Sequence, residues 1–173
     1  MPIKDLTERR QMPRIGKIHL GIKVQGEKSQ YPKAVDYFVF PQDHEAWPAI
    51  KALYGEKPKT LDIMFPTDDP EEFASQYYRA YTRSRGLVCK GDGEKAHRMV
   101  DSLVLSTTGE PAIPTQATKE IVMMDITCPG RECRYYQDKT CREIMNLQFF
   151  LPKIPGIGIW QLDTSSINSI LQI

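Results

Sequence analysis

The sequence predicts an α+β fold: antiparallel strands with a few helices, and a late loop pinned by cysteines. Three observations point there. Short apolar/polar alternations recur between turn-forming residues, as in Ile18, Leu20, Ile22 and Val24. Helical patterns are few and short. Three of the four cysteines fall within fourteen residues, in a charged, turn-rich stretch where burial alone is a poor reason for them.

Taken in order, Arg14 to Val24 reads as a half-buried strand, followed by a turn over Gln25–Pro32 and a second strand, Val35–Phe40, stopped by Pro41. The two make an antiparallel hairpin. Gln42–Tyr54 reads as a helix with Trp47, Ile50 and Leu53 at three-residue steps and Pro48 in its first turn. Lys59–Phe65 is a third strand before Pro66. Asp68-Asp69 with Pro70, Glu71 and Glu72 is a helix start, and that helix runs to about Arg83, carrying Phe73, Tyr77, Tyr78 and Tyr81. Gly86–Cys89 is a strand entering a tight turn at Gly91-Asp-Gly93. Residues 105–118, rich in proline and threonine, form the one clear loop or linker. Lys119–Thr127, Leu147–Pro152 and Gly158–Asp163 are strands, and Asp163-Thr-Ser-Ser caps a final helix. The chain of 173 residues is expected to be one domain, 1–173, with a cysteine-rich lobe at about 119–145 joined to Cys89. It stops at Leu171-Gln-Ile173 in mid-helix, which suggests truncation at the C-terminus.

Charge sets few limits. The formal net charge is +1, but residues 1–33 hold eight basic and three acidic residues, leaving the remainder at −4. A basic leading segment suits nucleic acid contact or a solvated strand equally well. No run approaches the ~18 apolar residues of a membrane span, and Met1–Arg14 lacks the apolar centre of a secretory signal. A cytoplasmic setting, in a bacterial host or infected cell, is expected. There thiols stay reduced, so metal binding or burial is expected of the cysteines rather than disulfides.

Cys128-Pro-Gly-Arg-Glu-Cys133, then Cys141 eight positions on, gives a C-x4-C-x7-C run. Pro129-Gly130 favours a tight turn that lets two sulfurs converge. Cys89 precedes another turn, making a zinc-stabilised four-cysteine loop of Cys89, Cys128, Cys133 and Cys141. A 4Fe–4S cluster is the alternative, since it also takes four thiolates and tolerates a neighbouring proline such as Pro129. All-thiolate ligation argues for a structural ion. His97, eight residues after Cys89, could replace a thiol but suits a surface position better.

Other chemistry is thin. Gly91-Asp-Gly93 is a hairpin turn rather than a phosphate loop. Asp62, Asp68, Asp69, Glu71 and Glu72 read as a helix cap more readily than a magnesium cluster, and Ser165 and Ser166 lack a nucleophile's context. No acid, base and nucleophile assemble, so a non-enzymatic role is expected. Basic and aromatic residues interleave at 77–86 and around the metal loop, which nominates Arg83, Arg85, Lys90, Arg131, Arg134 and Arg142 for nucleic-acid contact.

Several phrases together resemble one family: Arg14-Ile-Gly-Lys-Ile-His-Leu-Gly-Ile-Lys, Tyr31-Pro-Lys-Ala-Val-Asp-Tyr-Phe-Val, Leu61-Asp-Ile-Met-Phe-Pro, Gly86-Leu-Val-Cys-Lys-Gly-Asp-Gly and Trp160-Gln-Leu-Asp-Thr-Ser-Ser. They are similar to the recombination directionality factor-like proteins of phages and integrative elements. The resemblance covers most of the chain. It implies a protein that binds a serine integrase on DNA and shifts recombination from integration toward excision, with the four cysteines matching the family's own. The expected function is therefore a metal-binding regulator of site-specific recombination. Two alternatives stand beside it: a single-stranded nucleic acid-binding component of a nucleoprotein complex, and a metal-dependent nucleic-acid hydrolase.

Overall fold

The structure, a computed structural model, describes residues 12–165. The backbone groups into two compact units. Among the described residues, 12–74 with Asn146–Thr164 form the first, and Ser75–Met145 with Ser165 the second. The described residues contain eight strands and four short helices, a mixed, α+β-like architecture. None of these helices is long and apolar enough to cross a membrane.

In the first unit, β1 (Arg14–Gln25) and β2 (Gln30–Val39) make the expected antiparallel hairpin. The register slips between His19 and Gly21, and Leu20, at that bulge, is 37% exposed instead of following Ile18 inward. β8 (Ile159–Thr164) then pairs with β1 in parallel, Ile18 opposite Leu162. The expected antiparallel pairing therefore holds for β1/β2 but not for β1/β8. β1 and β8 are far apart in the chain, so no hairpin dictates their direction. Gly16 lies opposite Trp160, and a Cβ there would sit 2.2 Å from the indole ring, so close approach of this pair needs glycine.

Trp160 anchors the first core with Phe40 edge-on at 5.3 Å and with Ile18, Ile50 and Phe149 buried. α1 (Trp47–Tyr54) has Pro48 in its first turn, as expected. His44 locks the approach to it. Its Nδ1 accepts the Ala46 N–H at 3.0 Å, which leaves Nε2 protonated to donate to the Ile15 carbonyl at 2.7 Å. The strand expected over 59–65 does not form: Met64 makes one bridge to Phe150 and no ladder.

The largest correction lies at 68–83. Asp69 does cap a helix, accepting the Glu71 N–H at 2.9 Å, but α2 (Pro70–Phe73) ends after four residues. β3 (Ala74–Thr82) replaces the rest. Tyrosines at 77, 78 and 81 favour an extended chain, and a neighbouring strand satisfies it.

The second unit is ordered β7-β3-β4-β5-β6, with β4 (Gly86–Gly91), β5 (Lys95–Asp101), β6 (Ile121–Thr127) and β7 (Cys141–Phe149, which continues into the first unit). The β3/β4, β4/β5 and β5/β6 pairs are antiparallel. β5 was not expected, and β7 begins six residues before the strand expected at Leu147. The supposed loop at 105–118 opens on α3 (Ser102–Thr108), capped by Asp101 and ended by Gly109 with φ 75°. A 3₁₀ turn at Gly130–Glu132 and α4 (Arg134–Gln137) fill the stretch between the late cysteines. The final helix expected after Asp163 lies outside the described residues beyond Ser165; Asp163 and Thr164 themselves belong to β8.

Candidate metal centre

Residues directly opposite on antiparallel strands share a face. Ala80, Cys89, Arg98 and Met124 are register partners across β3, β4, β5 and β6, which aims Cys89 and Arg98 at the same side of the sheet. Cys128 follows β6 directly, held by its N–H on the Glu94 carbonyl at 2.8 Å. A Cβ on Gly91 would lie 2.8 Å from the Cys128 sulfur, so glycine makes the space that sulfur occupies. Cys133 opens α4, its carbonyl accepting from Tyr136 at 2.9 Å. Cys141 is the first residue of β7.

Cys89, Cys128 and Cys141 are buried together with Ala80, Val88 and Ala96, while Tyr78, Tyr135, Tyr136, Ile113 and Ile126 pack around them. Cys133 is half-buried, beside a cleft of about 440 Å³ lined by Arg98, Pro111, Arg134 and Tyr135 among others. Burial pushes the Cys141 thiol up to about 12, and the nearby thiols of Cys89, Cys133 and Cys128 add to the rise while Arg98 opposes it. By donor type alone, four thiols are the ligands a thiophilic ion takes. As placed, no group of three or more His, Cys, Asp or Glu side chains among the described residues is arranged as a ligand set. The zinc-stabilised loop expected from sequence thus has its side chains gathered, without ligating geometry.

Arg98 is the functional residue that the sequence reading missed. Only 7% exposed, it donates from Nε to Cys89 Sγ at 3.4 Å and from Nη2 toward Cys133 Sγ at 3.8 Å. Its Nη1 reaches the Pro111 carbonyl at 3.1 Å, and its plane lies 5.0 Å over the Tyr135 ring. Burial lowers the guanidinium pKa, but the two thiols outweigh it and hold the group above its ordinary value. A buried cation needs a counter-charge. Here the acceptors in reach are the sulfurs of Cys89 and Cys133 and the Pro111 carbonyl. Tyr135 completes the wall, its hydroxyl accepting from Ile113 N–H at 2.9 Å.

A family model described as Gp3-like, recombination directionality factor-like, matches residues 15–173. The chain belongs to this family. For a recombination directionality factor-like protein the membership points to a role in recombination. Searches of the curated proteins and of the solved structures found no match.

The nominated nucleic-acid contacts scatter in this family member. Arg131 is bound to Glu143 at 2.7 Å, and Arg134 to Glu110 at 3.3 Å and to the Tyr135 hydroxyl at 2.7 Å. Arg85 is half-buried and donates to the Thr118 carbonyl at 2.6 Å, tying down the 115–118 segment. Lys90, Arg83 and Arg142 are exposed, and none of the three pairs with a carboxylate among the described residues. His97 bonds Asp125 at 2.8 Å on the face opposite the cysteines, in register with Lys90, so it does not stand in for a thiol.

Proposed function

We propose that this chain is a non-enzymatic regulator of site-specific recombination whose second unit is held by a zinc ion on Cys89, Cys128, Cys133 and Cys141. It would act by binding a serine integrase on DNA more tightly in one synaptic arrangement than in another. A tenfold shift in product ratio asks for ~1.4 kcal/mol of such preference, well within one modest interface. The single observation that supports the metal is that Cys89, Cys128 and Cys141 share one buried cluster while Arg98 reaches from Cys89 to Cys133. Family membership supports the recombination role.

Bound zinc would supply a cross-link between β4, the end of β6 and the start of β7, replacing hydrophobic burial with coordination. Four thiolates close a tetrahedral shell, which leaves no position for an activated water and favours a structural ion over a hydrolytic one. Arg98 offsets part of the negative charge that such a shell carries.

Protein purified under reducing, chelator-free conditions should contain one zinc per chain by elemental analysis, and Cys128→Ser should lose it. Stoichiometric iron with a visible absorption band would replace zinc by a 4Fe–4S cluster; absence of both would end the metal assignment. Added to a purified serine integrase from the same element, the protein should raise excision and suppress integration. An unchanged ratio would end the regulatory one.

A further inference from the structure

The metal assignment uses one face of the second unit's sheet; the other carries a row of cations. Arg79, Lys90 and His97 are direct register partners on β3, β4 and β5, so they leave the same face. Arg142 follows Cys141 on β7, the strand beside β3, and alternation sends it away from the cysteine side. Lys90, His97 and Arg142 are exposed and Arg79 half-buried. Aromatic rings interleave: the Lys90 ammonium lies 4.3 Å from the Tyr77 ring centre, and the Arg79 guanidinium 5.2 Å from that of Tyr81, which is 58% exposed.

The charge on this face is unbalanced. Asp125, bonded to His97, is the carboxylate at the end of the row. Among the described residues Arg79, Lys90 and Arg142 have no carboxylate partner, whereas Arg131 and Arg134 near the cysteines both do. Arg79 and Lys90 stand directly opposite each other, and like charges so placed oppose strand pairing. An anionic ligand laid across them removes that repulsion. The exposed ring adds a preference: Tyr81 offers a face on which a base can stack, which a single strand can use and a closed duplex cannot.

We propose that this face binds single-stranded nucleic acid, with the phosphates crossing Arg142, Arg79 and Lys90 and a base on Tyr81. The proposal goes beyond the metal-held regulator and depends on neither the ion nor an integrase.

The test is fluorescence anisotropy of a labelled oligothymidylate with the full chain as isolated. Binding should weaken with salt, with a log–log slope of about −2 at three phosphate contacts, from ~0.7 per contact. Arg79→Glu and Lys90→Glu should each weaken binding at least tenfold, and Tyr81→Ala by roughly 5- to 100-fold. Lys28→Glu, the same charge change in the β1–β2 turn, should leave it unaltered, and circular dichroism should show every variant folded. No binding by the unaltered protein overturns the proposal. So does equal affinity for a duplex of the same length, or a Tyr81→Ala variant that binds as before. Should Lys90→Glu abolish integrase binding while oligonucleotide binding stays intact, the face is a protein-docking surface and the proposal fails.

Discussion

Arg98 shows how much one side chain can decide. Its guanidinium joins β5 to Cys89 on β4, to Cys133 at the start of α4 and to the Pro111 carbonyl. Replacing it with methionine keeps the bulk and removes the charge. Arg98→Met should bind zinc 10- to 100-fold more weakly in chelator competition, the usual cost of losing a group that bonds the ligands of a metal. Arg98→Lys should recover part of the loss, because the charge returns without the fork that reaches two sulfurs. If unaltered protein binds zinc and Arg98→Met binds it equally well, Arg98 is packing only. Gly91 makes a sharper steric case. A Cβ there would meet Cys128 Sγ and Ala96 Cβ at 2.8 Å and the Lys95 carbonyl at 2.9 Å. One of these is backbone, so the contact cannot be relieved by a rotamer change. Gly91→Ala should cost ~1–3 kcal/mol in urea denaturation; an unchanged midpoint would mean that the turn yields.

Asp101 lets an element be tested through one carboxylate. Its side chain accepts from Leu103 and Val104 N–H at the start of α3 and from the Thr118 hydroxyl at 2.5 Å. The Thr118 bond and the Val104 amide hold its pKa below the ordinary carboxylate value. A depressed folded-state pKa stabilises above the unfolded pKa, and that stability drains as pH falls through the folded one. The urea midpoint of Asp101→Asn should therefore lie below that of unaltered protein at neutral pH. The gap should close below about pH 4, where the unfolded carboxylate protonates; a gap independent of pH would assign the effect to shape. The same elements show what the sequence made legible. β1, β4, β6 and β8 announced themselves because short runs of strand-forming apolar residues lie between turn residues, although burial alternates cleanly in none of them. β5 stayed hidden since its central inward position is Arg98, an arginine where alternation asks for an apolar residue. The missed helix α3 had both its signals, Asp101 and Gly109, but Ser106, Thr107 and Thr108 spoke for a loop; their hydroxyls bond back to the Leu103 and Val104 carbonyls instead. At 70–82 the cap was real but the helix ends at Phe73, because a cap fixes where a helix starts and says nothing of its length. For the proposed metal centre, cysteine spacing nominated the four sulfurs, whereas the arginine that bonds Cys89 and Cys133 is placed there by strand register, which a lone arginine does not advertise.

The two units solve the problem of a core by different means. The first buries Trp160, Phe40, Phe149, Ile18 and Ile50, large side chains that bring ~1.5–3 kcal/mol each out of water. The central cluster of the second is small: Ala80, Val88, Ala96 and three cysteines. Alanine and cysteine remove little apolar area, so beyond the Tyr78, Met99, Ile113, Ile126, Tyr135 and Tyr136 side chains packed on it this cluster gains least from burial, and the proposed zinc would add a cross-link through the four thiols. Separate sources of stability should respond separately. Treating zinc-loaded protein with a strong chelator should speed amide hydrogen exchange across β4, β6 and 128–141, while the β1/β2 hairpin and β8 keep their protection. Exchange that quickens equally in both units would mean that the ion supports the whole chain, and exchange that quickens in neither would mean that the thiol cluster holds as an ordinary core. Only the first pattern agrees with a molecule in which coordination stands in for apolar burial in one unit and has no part in the other.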